Sequence, residues 1–305
     1  MLLVTGASGE LGTLIAGRLA GRDDVLLGTR APGDGGGRRR IDFDDPRSLT
    51  EGFEGVDTLL LISAGYGEDD VVIARHDAAI TAAEKAGVRH VVYTSLSGDG
   101  DHLPYALAHR WTERRLRESP TLTWTVLRNG LYAELLAFLA APDADGVISA
   151  PLGTGRLAAV ARADLAEVAA RVALDPSAHA GRTYELVGEV PLGGAELAAA
   201  TRSTYAPSGL TEPEPSDLPR PAGAAAPDGR PRSAAAAGLA EARARLAASG
   251  ALPFQVPMLV GTYSAIAAGF MDGSGIAAAE RSALRELLAR EPRPAIAAYT
   301  EALAR

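Results

Sequence analysis

The sequence predicts an α/β protein built on a doubly wound parallel sheet, with a smaller, mostly helical C-terminal domain. Three observations carry this. A glycine triplet, Gly6, Gly9 and Gly12, lies between a short apolar run and an amphipathic stretch. Short apolar runs then alternate with helical patterns as far as residue 129. Runs such as TLLLIS (58–63) and HVVYTS (90–95) show no apolar/polar alternation, so they read as strands covered on both faces.

Residues 2–4 form the first strand. Gly6 lets the chain leave it in a tight turn, Gly9 removes the side chain that would keep a pyrophosphate off the backbone, and Gly12 allows the helix to pack closely on the sheet. Leu11, Ile15 and Leu19 recur every four residues and predict a helix over 11–21 whose free N–H groups and positive dipole end face the phosphates. The spacing is Gly-x-x-Gly-x-x-Gly, yet strand, turn and helix are the context a Rossmann-like dinucleotide site requires. Further strands are expected at 25–29, 58–63, 90–95 and 123–128, with a third in chain order ending at Asp42-Phe43. Helices are expected at 46–53, 69–86 and 105–118. Asp45 followed by Pro46 marks the start of one of them, a carboxylate cap with proline at the first helical position. Such repeated units demand right-handed crossovers.

Residues 1–130 are read as the NAD(P)-binding domain and 131–305 as a smaller substrate-binding domain, with a strand near 183–187 returning to the main sheet. Seven of the 19 prolines fall between 206 and 233, so 206–237 reads as a flexible insertion without helical or strand period. Helical patterns resume at 238, then at 260–271, 277–288 and 295–304.

The 305 residues carry 30 basic and 38 acidic side chains, a formal charge of −8, and no cysteine. That balance argues against nucleic-acid and anionic-membrane partners, and the lack of cysteine excludes disulfides, thiolate metal sites and a cysteine nucleophile. No metal site is expected. No basic-then-apolar leader precedes the first strand, and the chain reads as soluble and cytoplasmic.

The second strand ends at Arg30, where a carboxylate would select NAD and an arginine suits a 2′-phosphate. NADP(H) is therefore the expected cofactor, with NAD(H) as the alternative. Arg38, Arg39 and Arg40 could add positive potential there, but a charge run in a glycine-rich loop is usually a solvated face. Asp42 and Phe43 are placed along the adenine. Ser63, Ala64 and Gly65, with Thr94 and Ser95, are placed at the carboxyl edge where ligands bind in open parallel sheets; their hydroxyls could equally cap the following helices. A short-chain dehydrogenase supplies its proton from Tyr-x-x-x-Lys, and here that position reads Tyr105-Ala-Leu-Ala-His109. Helical spacing would put Tyr105 and His109 on one face, His109 serving as a proton donor or orienting group near neutral pH. Without the lysine, an acceptor that yields a delocalised phenolate fits better than a simple ketone, whose alkoxide needs a tuned acid.

TGASGELG, LLLIS, AAEKAGVRHVVYTSL, HRWTERRL, LRNGLYAE and GRTYELVG together resemble the NmrA-like atypical short-chain dehydrogenases, within them the NADPH-dependent quinone oxidoreductase 2 type, over residues 1–203. The resemblance implies a nicotinamide in the cleft between the two domains. It also implies cofactor contacts at Gly6, Ser8, Gly9, Glu10, Leu11 and Arg30, a cleft lined by Asn129 and Tyr132, and His109 matching a helix histidine of the quinone reductases. The expected activity is NAD(P)H-dependent reduction of a quinone or polycyclic aromatic molecule. One alternative is aromatic-polyketide tailoring in antibiotic biosynthesis that supports hydroxylation or coupling, with a flavin enzyme as candidate partner. A non-catalytic NADP-sensing regulator is the rival from another class. The oligomeric state is left open.

Overall fold

The computed structural model describes residues 1–33, 36–64, 67–207 and 234–305. The expectation at Gly65 and most of that for 206–237 lie outside the described residues. Eleven described strands run in the order β1 (Leu2–Val4), β2 (Val25–Thr29), β3 (Arg38–Arg40), β4 (Thr58–Ile62), β5 (His90–Leu96), β6 (Thr123–Asn129), β7 (Val147–Ile148), β8 (Arg156–Leu157), β9 (Arg182–Leu186), β10 (Leu192–Gly193) and β11 (Thr204–Tyr205). Seven of them form one sheet in the order β3-β2-β1-β4-β5-β6-β9, every pair parallel. The order reverses beside β1, which is where a doubly wound sheet opens its ligand crevice.

On one face lie α1 (Glu10–Arg18) and, from much later in the chain, α6 (Arg162–Leu174), packed with Val4, Leu60, Val92 and Leu127. The other face carries α2 (Pro46–Gly52), α3 (Asp69–Ala86) and α4 (Ala106–Arg117), over Leu3, Leu59, Leu61, Val91 and Tyr93. All seven residues of β5 are buried. Asp45 caps α2 by accepting from the Arg47 N–H at 3.1 Å, with Pro46 at the first helical position. A second core gathers α5 (Ala133–Leu139), α7 (Gly194–Thr201), α8 (Ala234–Ala248), α9 (Gln255–Ala267) and α12 (Ala295–Leu303) around Leu136, Ile148, Tyr263 and Tyr299. The short α10 (Ala278–Arg281) and α11 (Ala283–Leu288) run beside β9 and α6.

The strand expected near 183–187 does return, pairing Thr125–Asn129 with Arg182–Leu186. Residues 162–186 thus complete the Rossmann layer after the chain has already entered the second core. Three local expectations change. The third strand is the arginine run itself, ending two residues before Asp42. Helix α8 begins at Ala234, ahead of the expected 238. Helix α9 begins at Gln255 rather than 260 because Pro257 falls in its first turn, where its missing N–H has no intrahelical partner to lose.

Candidate functional site

The crevice is built first by the glycine turn. Gly6 adopts φ +59°, the left-handed region, and its carbonyl accepts from the Gly9 N–H at 3.0 Å. Gly9 is the N-cap of α1 with no side chain to cover the first-turn N–H groups, so they remain free for an anion. A Cβ on Gly12 would stand 2.1 Å from the Gly6 carbonyl oxygen, whereas one on Gly9 would meet only that oxygen at 3.4 Å. Gly12 is therefore needed by the turn itself and not by the sheet, while Gly9 is open on its outer side. Leu11 contributes its backbone here, its side chain being buried under the sheet. Glu10 points away to Arg162, 2.8 Å from Oε2 to Nη2.

At the end of β2 a cavity of about 290 Å³ is lined by Ser8, Thr13, Leu27, Thr29 and Arg38 among others. Arg30 is exposed beyond it. The three arginines read as a solvated run have separate positions. Arg39 donates to the Gly52 and Glu54 carbonyls at 2.7 and 2.6 Å, Arg40 pairs with Asp45 and Asp42, and Arg38 faces the cavity. Asp42 accepts from the Asp44 N–H at 3.2 Å, and Phe43 packs half-buried against the α2–α3 core. Both sit just beyond the carboxyl end of β3.

Behind the middle of the crevice, Thr94 Oγ1 accepts from the Ser63 N–H at 3.0 Å and His76 Nε2 accepts from the Ala64 N–H at 2.8 Å. With Nε2 accepting, the His76 proton is on Nδ1, 2.7 Å from Thr112 Oγ1, which donates on to the Ala108 carbonyl. Burial lowers the His76 pKa to about 3, so this ring is a neutral strut for the loop after β4. Ser95 corrects its expectation. Adjacent strand residues face opposite sides of a sheet, and Ser95 turns from the crevice to donate to the buried Glu113 at 2.7 Å. Glu113 is buried, which by itself raises its pKa, but hydrogen bonds from Arg128 and Ser95 outweigh this and hold it at about 2. Asn129 ends β6 with Oδ1 buried and unpartnered.

The three catalytic candidates point to different neighbours. Tyr105 is the N-cap of α4, with φ −108° and ψ 13°. Its hydroxyl is 3.4 Å from Thr262 Oγ1 on α9. His109 Nδ1 is 2.8 Å from the Tyr93 hydroxyl, and burial, with Arg110 adding to it, lowers its pKa to about 4. It is therefore uncharged near neutral pH, contrary to the role of a donor tuned to that range. Tyr132 bridges to Val160 and lies under Arg162, 4.6 Å from guanidinium carbon to ring centroid. Arg162 thereby ties Tyr132 to Glu10 of the glycine-turn helix. Sequence reasoning missed Arg162 and His76 and gave Arg38 no face; an isolated arginine or histidine carries no local pattern, and only the parallel register places Arg38.

The glycine cradle and the cavity beside Arg38 fit a dinucleotide. In agreement with this, residues 6–176 match the family described as NAD(P)H-binding. The chain is 36% identical over 201 residues to quinone oxidoreductase 2 of Escherichia coli (strain K12), spanning 62% of this chain and 69% of that one. It is 30% identical over 163 residues to the NAD(P)H azoreductase of Xenophilus azovorans, 52% and 55% of the two chains. Among solved structures it superposes on the Citrobacter sp. triphenylmethane reductase complexed with NADP(H) with a TM-score of 0.79 at 25% identity, covering 99% of each chain. The E. coli NADPH-dependent quinone oxidoreductase complexed with NADPH gives 0.77 at 26%, again over 99% of each.

Proposed function

The chain belongs to the NAD(P)H-binding, NmrA-like family and is an NAD(P)H-dependent oxidoreductase, and from that premise we propose that it reduces quinones and similarly extended aromatic acceptors with NADPH. When bound, NADPH supplies a hydride: quinone plus hydride gives the hydroquinone monoanion and NADP⁺, and a solvent proton completes the hydroquinone. The observation that carries the reading is the state of His109. The group standing where a lysine would serve a ketone reductase is uncharged and hydrogen-bonded to Tyr93, so the chain holds no cationic acid there. A hydroquinone has a pKa near that of tyrosine, about 10, and its anion needs only water or one hydrogen bond. The names of the quinone, azo-dye and triphenylmethane-dye relatives support the same class of acceptor.

In this reading Gly6, Ser8, Gly9 and the backbones of Glu10 and Leu11 hold the pyrophosphate, and Arg30 reads the 2′-phosphate. Asp42 and Phe43 flank the adenine. Ser63, Ala64 and Thr94 line the path to the nicotinamide, with Asn129 and Tyr132 beside the acceptor. Catalysis is then mainly positioning of donor and acceptor in a dry cleft. The C-terminal core supplies the acceptor side, so that residues 131–305, apart from the return through α6 and β9, act as the substrate domain.

The test is NADPH consumption, followed by its ultraviolet absorbance, with a panel of a small naphthoquinone, a polyketide-type anthraquinone, an azo dye and a triarylmethane dye. Turnover of the quinones is the expected result, and a preference for the anthraquinone would support the polyketide-tailoring form of the reading. Tight NADPH binding without consumption by any acceptor would favour an NADP-sensing regulator instead.

A further inference from the structure

We propose that Arg38, on the edge strand β3, is a determinant of NADPH over NADH, holding the 2′-phosphate together with the hydroxyl of Thr29. The proposal rests on the NADPH reading above and adds to it a residue outside the glycine motif and the end of β2.

Leu27 and Arg38 are register partners in the β2–β3 ladder, and Thr29 stands two residues beyond Leu27, on the same face of the sheet. That is the α1 face, where Leu27 packs beside Ile15 and Leu19. Helix α1 does not close against β3, and the space left between them is the cavity of about 290 Å³. Thr29 lines it while only 5% exposed, and its Oγ1 has no hydrogen-bond partner. A buried hydroxyl left unpaired costs stability, and a ligand oxygen seated in the cavity would give this one a partner. Arg39 and Arg40 are both engaged by carbonyls or carboxylates. Among the described residues Arg38 has no such partner.

The cavity thus offers a guanidinium, the hydroxyls of Ser8, Thr13 and Thr29, of which Thr13 already donates to the Ala7 carbonyl, and the uncapped N-terminus of α1 at its rim. This donor set suits a compact dianion with several acceptor oxygens, and a guanidinium binds phosphate through more than one of its N–H groups. The glycine turn fixes the pyrophosphate beside it, and the adenosine ribose then falls at the end of β2. The bare 2′-hydroxyl of NADH would leave Arg38 and Thr29 without that partner.

Calorimetric titration of the full chain with 2′,5′-ADP, 5′-AMP, NADPH and NADH tests this without turnover. Arg38→Gln is expected to weaken 2′,5′-ADP and NADPH by roughly 10- to 100-fold and to leave 5′-AMP and NADH unchanged. Arg38→Lys should recover part of the loss, and Thr29→Val should show a smaller loss confined to the same two ligands. A wild-type preference that survives in Arg38→Gln would assign the phosphate to Arg30 alone and overturn the proposal while leaving the NADPH reading intact. A loss shared by all four ligands would make Arg38 a packing residue and overturn it as well. If the wild type itself binds 2′,5′-ADP no better than 5′-AMP, the NADPH reading falls first and this proposal with it.

Discussion

His109 Nδ1 lies 2.8 Å from the Tyr93 hydroxyl, and Tyr93 in turn packs edge-on against the neutral ring of His76. The two histidines and the tyrosine lock α4 and α3 onto β5 without adding charge to the crevice. If hydride goes to a quinone, His109→Ala should lower turnover by no more than the roughly 10²- to 10⁴-fold of general acid–base assistance, with NADPH affinity unchanged by calorimetry. Tyr132→Phe should chiefly raise KM. Turnover abolished by Tyr105→Phe, with His109→Ala harmless, would restore a tyrosine acid and a ketone substrate.

The same packing makes stability depend on pH. His76, His90 and His109 have folded pKa values of about 3, 4 and 4, all lowered first by burial. Each lies below the unfolded value of about 6.5. Between pH 6.5 and 4 the unfolded chain therefore binds protons that the folded chain refuses, and stability falls as pH falls. Each group contributes at most about 1.4 kcal/mol per pH unit. Urea midpoints should decline from pH 7 to pH 4.5 and the decline should be shallower in His90→Gln. A flat profile would show that these rings are solvated.

Gly9 and Gly12 should separate folding from binding. A Cβ at Gly12 would collide with the backbone at 2.1 Å, whereas one at Gly9 meets only the Gly6 carbonyl oxygen, at 3.4 Å. Gly12→Ala is expected to lower Tm markedly. Gly9→Ala should keep a near-native Tm and lose NADPH affinity, because the added methyl occupies the approach of the pyrophosphate. Equal losses of Tm in both would remove the distinction.

These glycines show which parts of the site were legible in the sequence. The turn, the strands at β1, β2, β4, β5 and β6 and the end of β2 follow from local spacing, since each needs only neighbours along the chain. Ser95 was misplaced, and the partner of His109 was not foreseen, for the opposite reason. Their surroundings are set by Glu113 and Tyr93, whose positions depend on how α4 crosses the sheet. Tyr105 shows the limit of periodicity, because its hydroxyl partner, Thr262, comes from a helix 157 residues away in the chain. Arg38 needed the strand register, and three consecutive arginines in a glycine-rich segment give no strand period to reveal it.

Asp99 provides the last prediction. It stands in the turn after β5, only 6% exposed, with Oδ2 unpartnered. It faces the loop around Gly273 and Gly275; a Cβ at Gly275 would come within 3.0 Å of Oδ1. Burial raises its pKa, and Asp272 and Glu185 push the same way against the Gly273 N–H and Arg281. A carboxyl whose folded pKa exceeds its unfolded value contributes its full stability below the unfolded pKa, about 3.9, and loses it as pH rises through the folded pKa. At neutral pH the ionised group is therefore a burden on the fold. Asp99→Asn keeps the shape and removes the charge, so it should stabilise the chain by about 1 kcal/mol at pH 7, seen as a Tm rise of a few degrees. The gain should shrink as the pH falls and the wild-type carboxyl takes up its proton. A destabilised Asp99→Asn at pH 7 would show instead that the charge is held by Arg281, and that burial is the weaker of the two effects.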